Sequence, residues 1–227
     1  MTPVSAPSGI ARALTKTELI HSQLRQGILT LKYRPGDYLN VDELARQHDL
    51  SQIPVREAVA RLAAERLVVM RPHVGVEVAP LDETSVREVF VLLSGLETAT
   101  VGDIVDRVDA NDLAELAAIH AAMGKIRLPR GLEAWDQANA AFHLRLVSIA
   151  GLPSVLDQLK VVFEHWDRVR RYFFEIFPER DPSRAQREHL AMIGATKNRD
   201  GARLRELLQR HNLRARQTYL SLLKQQG

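Results

Sequence analysis

Four polar side chains in the second half of the chain have the types and spacing to hold an ion. His143, His189 and His211 fall on three separate segments of helical periodicity, and Asn139 lies one turn before His143. An i, i+4 pair shares one face of a helix, so Asn139 and His143 can converge on ligands from other helices. Three imidazoles and an amide oxygen form a borderline-hard set that suits a divalent metal, zinc first and nickel or manganese next, with positions left for water or a ligand. Spacing alone favours the plainer reading of packed or solvated histidines, since eight occur in the chain. A metal-dependent hydrolase would need a general base, and Glu188 beside His189 is the obvious candidate. Helix neighbours point about 100° apart, which argues against it. A pure metal sensor, with the ion itself as effector, is the other alternative. Arg168, Arg170 and Arg171 form a basic cluster beside Trp166 and Tyr172, and one of the three can face a pocket and hold a carboxylate bidentately, although an exposed helix face is the simpler reading.

A different chemistry is written in Ser51-Gln52-Ile53-Pro54-Val55-Arg56-Glu57. Ser51 caps a helix whose inward stripe is Val55, Val59 and Leu62, so Gln52, Ile53 and Arg56 face outward at its start. Arg donates twice to guanine, Gln pairs with adenine, and Ile can meet a thymine methyl in the major groove. A plain three-helix module fits the same spacing. The following segment bears on the choice: Val68 to Met70, a turn at Arg71-Pro72-His73-Val74-Gly75, and alternating Val76 and Val78 read as a hairpin whose tip, His73 and Gly75, can approach a phosphate backbone.

The elements that carry these residues follow from periodicity and punctuation. Residues 1–14 are rich in Pro, Ser, Gly and Ala and read as a tail. Ile20, Leu24, Ile28 and Leu31 mark a first helix that stops before Pro35-Gly36. Asn40, with Glu43 as the partner of a capping box, opens a second, and Ser51 opens the third. Three helices and a hairpin over residues 15–80 outline a winged helix-turn-helix. Residues 81–227 carry no further strand signal and read as an antiparallel six-helix bundle, so the fold class is mainly α. Its first helix is expected to run from Asp82 to about Val105, with Gly95 as its weak point; Asp181-Pro182 is expected to open the fifth.

Bulk properties limit the remaining possibilities. At 227 residues the chain has room for two unequal domains. It has no Cys, which removes disulfides, thiolate zinc sites and Cys nucleophiles. It also lacks HExxH, GxSxG, Walker A and dinucleotide-loop patterns, so an enzyme is not expected. Without an apolar run of membrane length or a hydrophobic leader, a cytoplasmic location and no membrane partner are expected. Net charge is +3. Residues 81–123 hold nine acids against Arg87 and Arg107, whereas the last 31 residues hold eight Lys/Arg against Asp200 and Glu206. Both runs read as solvated helix faces.

Leu24-Arg25-Gln26-Gly27-Ile28-Leu29, Pro35-Gly36-Asp37-Tyr38-Leu39-Asn40, Glu43-Leu44-Ala45, Ser51 with Pro54-Val55-Arg56-Glu57-Ala58, Arg61-Leu62 and Gly75 together resemble the DNA-binding domain of GntR-family bacterial transcription regulators. Phe142-His143-Leu144-Arg145-Leu146, Glu188-His189-Leu190-Ala191-Met192-Ile193 and Arg210-His211-Asn212-Leu213 resemble the FCD domain of the FadR subfamily, in its shorter VanR-like form. The resemblance implies a homodimer on a pseudo-palindromic operator in double-stranded DNA, acting as a repressor. It implies DNA contacts from Gln52, Ile53, Arg56, Arg61, His73 and Gly75. It also implies a divalent metal on Asn139, His143, His189 and His211, and a small organic acid as effector, for which Arg168 and Arg171 are the candidate contacts. Gln52 and Ile53 stand where the family usually has Arg and Thr, which implies a different operator preference. Asn139 stands where Asp is frequent, and Leu93 where many relatives carry an effector-contacting Arg.

Overall fold

The computed structural model describes residues 15–71, 75–127, 131–176 and 182–224. The chain divides into two compact units, Met1–Pro80 and Leu81–Gly227.

In the first unit α1 (Lys16–Leu29), α2 (Val41–Gln47) and α3 (Gln52–Ala64) pack with a small sheet of β1 (Tyr38–Leu39), β2 (Val68–Arg71) and β3 (Gly75–Val78). Thr15 closes a reciprocal capping box with Glu18 at the start of α1. Ile20, Leu24 and Ile28 of α1 meet Val55, Val59 and Leu62 of α3 in one apolar cluster. Gly27 permits close approach at the end of α1, since a Cβ there would stand 2.7 Å from the Tyr33 ring. Two expected caps differ from the sequence reading. Asn40 caps α2 through Asp42 and Glu43, but the Glu43 carboxylate accepts from Gln47 instead of turning back. Ser51 occupies the N-cap of α3 without a side-chain bond. Pro54 sits at the third helical position, where the amide that such a serine normally binds would be, and proline has no N–H to give.

The hairpin forms as β2 and β3, in antiparallel register from Val68 opposite Val78 to Arg71 opposite Gly75. Gly75 has φ +129°, a conformation that side chains disfavour. The sequence reading did not anticipate β1, which pairs its two residues with Glu77 and Val76 to give the order β1-β3-β2. Helices α2 and α3 end in left-handed residues, Asp49 and Arg66. Leu50 and Leu67 then donate back to Ala45 and Leu62, the bond that satisfies the last helical carbonyls.

The second unit is helical throughout its described residues: α4 (Glu83–Ala99), α5 (Val101–Arg107), α6 (Ala110–Lys125), α7 (Leu132–Ser148), α8 (Pro153–Ile176), α9 (Ser183–Lys197) and α10 (Gly201–Leu223). That is one more helix than expected, because the long first helix divides at Thr100 rather than bending at Gly95. At this division the Thr100 hydroxyl donates to the Glu97 carbonyl at 2.9 Å. Arg199, in the basic C-terminal run, donates to the carbonyls of Asp106 at 2.9 Å and Val108 at 2.8 Å. Part of that run therefore covers the open end of α5 instead of only facing solvent. Asp181 lies outside the described residues, and α9 starts at Ser183 without a side-chain cap.

Two apolar clusters gather the described core residues of this unit. One gathers Trp135, Phe142 and Leu146 with Met192 and Leu204; the other gathers Phe90 and Leu93 with Phe163, Trp166 and Tyr219. His143 meets the Phe142 ring of the first at 5.6 Å and the Phe163 ring of the second at 5.8 Å, so it stands where the two clusters adjoin.

Candidate metal centre and nucleic-acid interface

Helices α7, α9 and α10 each bring one histidine to a common point. One ring nitrogen of each of His143, His189 and His211 lies within 4.8 Å of the others. All three are buried, His189 completely. His189 stacks on Phe142 with centroids 4.5 Å apart. Both of its nitrogens are buried without a hydrogen-bond partner. A buried imidazole with two orphaned nitrogens is costly as a packing element and reasonable as a ligand. Burial, followed by the neighbouring imidazoles His143, His211 and His120, pushes His189 well below its ordinary range. Burial also lowers His211, against the opposing pull of Glu188. Both rings are thereby kept neutral, the state in which a ring nitrogen has a lone pair to donate. The donor set fits a divalent ion.

Two carboxylates stand behind the ring nitrogens. Glu97 of α4 is 1% exposed. Its Oε1 lies 2.6 Å from His143 Nδ1, and its Oε2 accepts from Asn212 Nδ2 at 2.6 Å. Glu188 Oε2 lies 2.7 Å from His211 Nδ1, while its other oxygen faces Arg184 at 3.5 Å and pairs with Arg214. Burial tends to raise the Glu97 carboxyl, but the adjacent His143, together with the bonds from His143 and Asn212, outweighs it and holds the group below the usual range. Glu188 is lowered in the same way, with burial overcome by His211 and the two arginines. Glu97 was not placed at the site from the sequence, and Glu188 was named there only as the base a hydrolase would need. The signal was present for Glu97, a lone charge continuing the buried stripe Val86, Val89, Phe90 and Leu93 of α4. Glu188 is committed to His211 and two arginines and is not disposed as the base of a hydrolase.

A cavity of about 370 Å³ opens beside the histidines. Asn139 and His211 lie in its wall, together with Trp135, Arg170, Arg184 and Arg214. Asn139 also lines a smaller cleft with His143, His211 and Glu97, which places it beside the cluster. Of the arginines on α8, Arg170 lines the large cavity and pairs with Asp136 at 3.0 Å. Arg168 and Arg171 are not among the described residues lining it. Arg171 bonds Glu133 at 2.8 Å, and burial lowers the Arg168 guanidinium to about 10. The 100° step between helix neighbours explains the difference, because only one of three residues in a run can face a given wall. Leu93 lies in the cleft wall beside Glu97. His120 serves packing: its Nε2 lies 2.9 Å from the Gln186 carbonyl.

On the first unit, Gln52, Arg56 and Arg61 are exposed along α3, and Ile53 is 68% exposed. Arg56 Nη2 donates to Gln52 Oε1 at 3.1 Å, so the two polar ends share one outward face. Gly75 begins β3, and His73 lies outside the described residues. Met70 is 60% exposed on β2.

A short helix presenting Gln and Arg outward, followed by a β-hairpin, defines a winged helix-turn-helix protein, here joined to a helical unit with a ligand-sized cavity. Comparison with known proteins gives the family. Residues 16–78 match bacterial regulatory proteins of the gntR family, and residues 88–214 match the FCD domain. The chain therefore belongs to the GntR family of helix-turn-helix transcription regulators and carries an FCD effector-binding domain, and its relatives are regulators rather than enzymes. It is 32% identical over 152 residues to an HTH-type transcriptional regulator of Streptomyces ambofaciens, across 67% of this chain and 64% of that protein, just under two thirds of its length. It is 26% identical to the HTH-type transcriptional repressor GlaR of Escherichia coli, across 84% of this chain and 89% of GlaR. In fold it is similar to a GntR regulator from Rhodococcus sp. RHA1, with TM-score 0.70 at 20% identity over 91% of this chain and 98% of that one. No described helix is long and apolar enough to cross a membrane.

Proposed function

We propose that the chain is a repressor that binds a pseudo-palindromic operator as a homodimer, and that a small carboxylate held at a divalent metal in the FCD domain sets its DNA affinity. The observation that carries this reading is the wall shared between the 370 Å³ cavity and the histidine cluster: His211 and Asn139 belong to both. A bound divalent ion supplies a positive attachment point for carboxylate oxygens. His143, His189 and His211 would hold it through one ring nitrogen each, with Asn139 as an oxygen ligand. Arg184 and Arg214 add positive charge to the wall, while Trp135, Trp166 and Tyr219 offer apolar surface to the rest of the molecule. Repression is the mode named for GlaR. On the first unit, Gln52, Ile53 and Arg56 read bases, with Arg61 and the hairpin residues His73 and Gly75 on the backbone. Two identical readers suit a two-fold operator.

The effector alters DNA affinity only through unequal binding to the DNA-competent and DNA-incompetent forms. A thermal-shift titration of zinc-loaded protein with lactate, malate and pyruvate, against propionate as a non-chelating control, tests the site. A chelating acid that binds the native state raises the unfolding temperature by mass action. No shift with any of them, with DNA release by zinc alone, would replace this reading by that of a metal sensor.

A further inference from the structure

None of the candidate ligands Asn139, His143, His189 and His211 carries a negative charge, and the three rings are 2%, 0% and 8% exposed. A dication there would bring two uncompensated charges into the interior, and buried charge without a counter-charge is strongly unfavourable. We infer that Glu97 and Glu188 supply the missing negative charge from behind the ligands, each through the Nδ1 of one histidine, and that Glu97 is the principal positioning residue of the metal centre. This inference rests on the metal reading above and adds two residues which that reading does not require.

Three observations carry the assignment. Each carboxylate contacts the Nδ1 of a different histidine, at 2.6 Å and 2.7 Å, which leaves Nε2 of His143 and His211 as the ligand atom and fixes the ring orientation. A carboxylate on the far nitrogen of a ligating imidazole increases the basicity of the near one. The two carboxylates also bring negative charge behind two of the rings, in full at Glu97 and shared with arginines at Glu188. Finally, the two acids are unequal. Glu188 divides its charge among His211, Arg184 and Arg214. Glu97 has neither Lys nor Arg as a partner among the described residues; its contacts are His143 and the neutral amide of Asn212. As a structural element alone, a carboxylate at 1% exposure facing an imidazole and an amide is poorly compensated; beside a dication it is matched.

The test is the zinc affinity of the full-length protein, measured by competition with a chromophoric chelator at neutral pH, for wild type, Glu97→Gln, Glu188→Gln, Asn139→Asp and the double variant Glu97→Gln/Asn139→Asp. Glu97→Gln is expected to weaken zinc by about 10- to 100-fold, the usual scale for such a partner, and Glu188→Gln by less. The double variant is expected to recover most of the loss, because Asp at 139 returns a negative charge to the ion directly. A purely structural role for Glu97 would not be rescued from residue 139. Glu97→Gln binding zinc as tightly as wild type, or a double variant no tighter than Glu97→Gln, would overturn the inference. Should Glu97→Gln fail to fold, Glu188→Gln decides: weakened zinc supports the inference, and unchanged zinc overturns it. Wild type and His189→Ala binding zinc equally would instead overturn the metal reading itself.

Discussion

Replacing Arg56 by Ala separates recognition from folding. Its guanidinium is exposed, and the bond it donates, to Gln52 Oε1 at 3.1 Å, is itself at the surface. Such a substitution changes stability by no more than about 0.5 kcal/mol. A bidentate Arg to guanine discriminates by about 1 to 3 kcal/mol, which is a loss of about 5- to 140-fold in affinity for each half-site. Operators selected from random DNA, titrated by fluorescence anisotropy at one fixed salt concentration, give the value, with urea unfolding as the control for stability. Fixed salt matters because phosphate contacts alone shift affinity steeply with ionic strength. Arg56→Lys keeps the charge and loses the fork, so it is expected to lose specificity while retaining binding to random DNA. Equal affinity of Arg56→Ala and wild type for the operator, or equal losses on operator and random DNA, would refute base reading by this residue.

Gln52→Arg is expected to move the operator preference toward guanine without abolishing binding; identical selected sequences from both proteins would contradict it. Asp49 ends α2 at φ 51°, so Asp49→Gly is expected to stabilise the first unit by about 0.5 to 1 kcal/mol, read from the denaturant midpoint, and a lower midpoint would count against that strain. In metal-free protein, His189 and His211 are held below 6.5 and Glu97 and Glu188 below 4.5. The unfolded chain then takes up protons that the folded chain refuses, so stability falls as pH drops below 6.5 and falls further below 4.5. A denaturant midpoint that stays level or rises between pH 6.5 and 4.5 would contradict this.

Local rules located most elements, because helix starts and stops are written in short-range chemistry: Pro35-Gly36 after α1, Asn40, Asp82, and the alternation of Val76 and Val78. The readings that differ arose where a second local effect competed with the first. Pro54 removes the amide that Ser51 would cap, and α4 stops at Ala99 although buried apolar residues continue into Val101 and Ile104. The two-residue strand β1 was hidden because it exists by pairing with β3, distant in sequence. The same division holds at the candidate site. His143, His189 and His211 were visible as residue types on helical segments, and the structure brings their rings together. Glu97 was not assigned although it continues the buried stripe of α4, and Glu188 and the Arg168-Arg170-Arg171 cluster were named without the facing of each, since which neighbour turns toward a cavity depends on helix rotation set by packing. Residue type alone does not encode that rotation.

Operator affinity of the zinc-loaded protein, titrated with malate in parallel with verified metal-free His189→Ala, addresses the central claim most directly. The account predicts that malate shifts the operator affinity of the wild-type protein and leaves that of His189→Ala unchanged. Release of operator from His189→Ala at the same malate concentration as from wild type would show that the acid acts without the metal, contrary to the mechanism proposed.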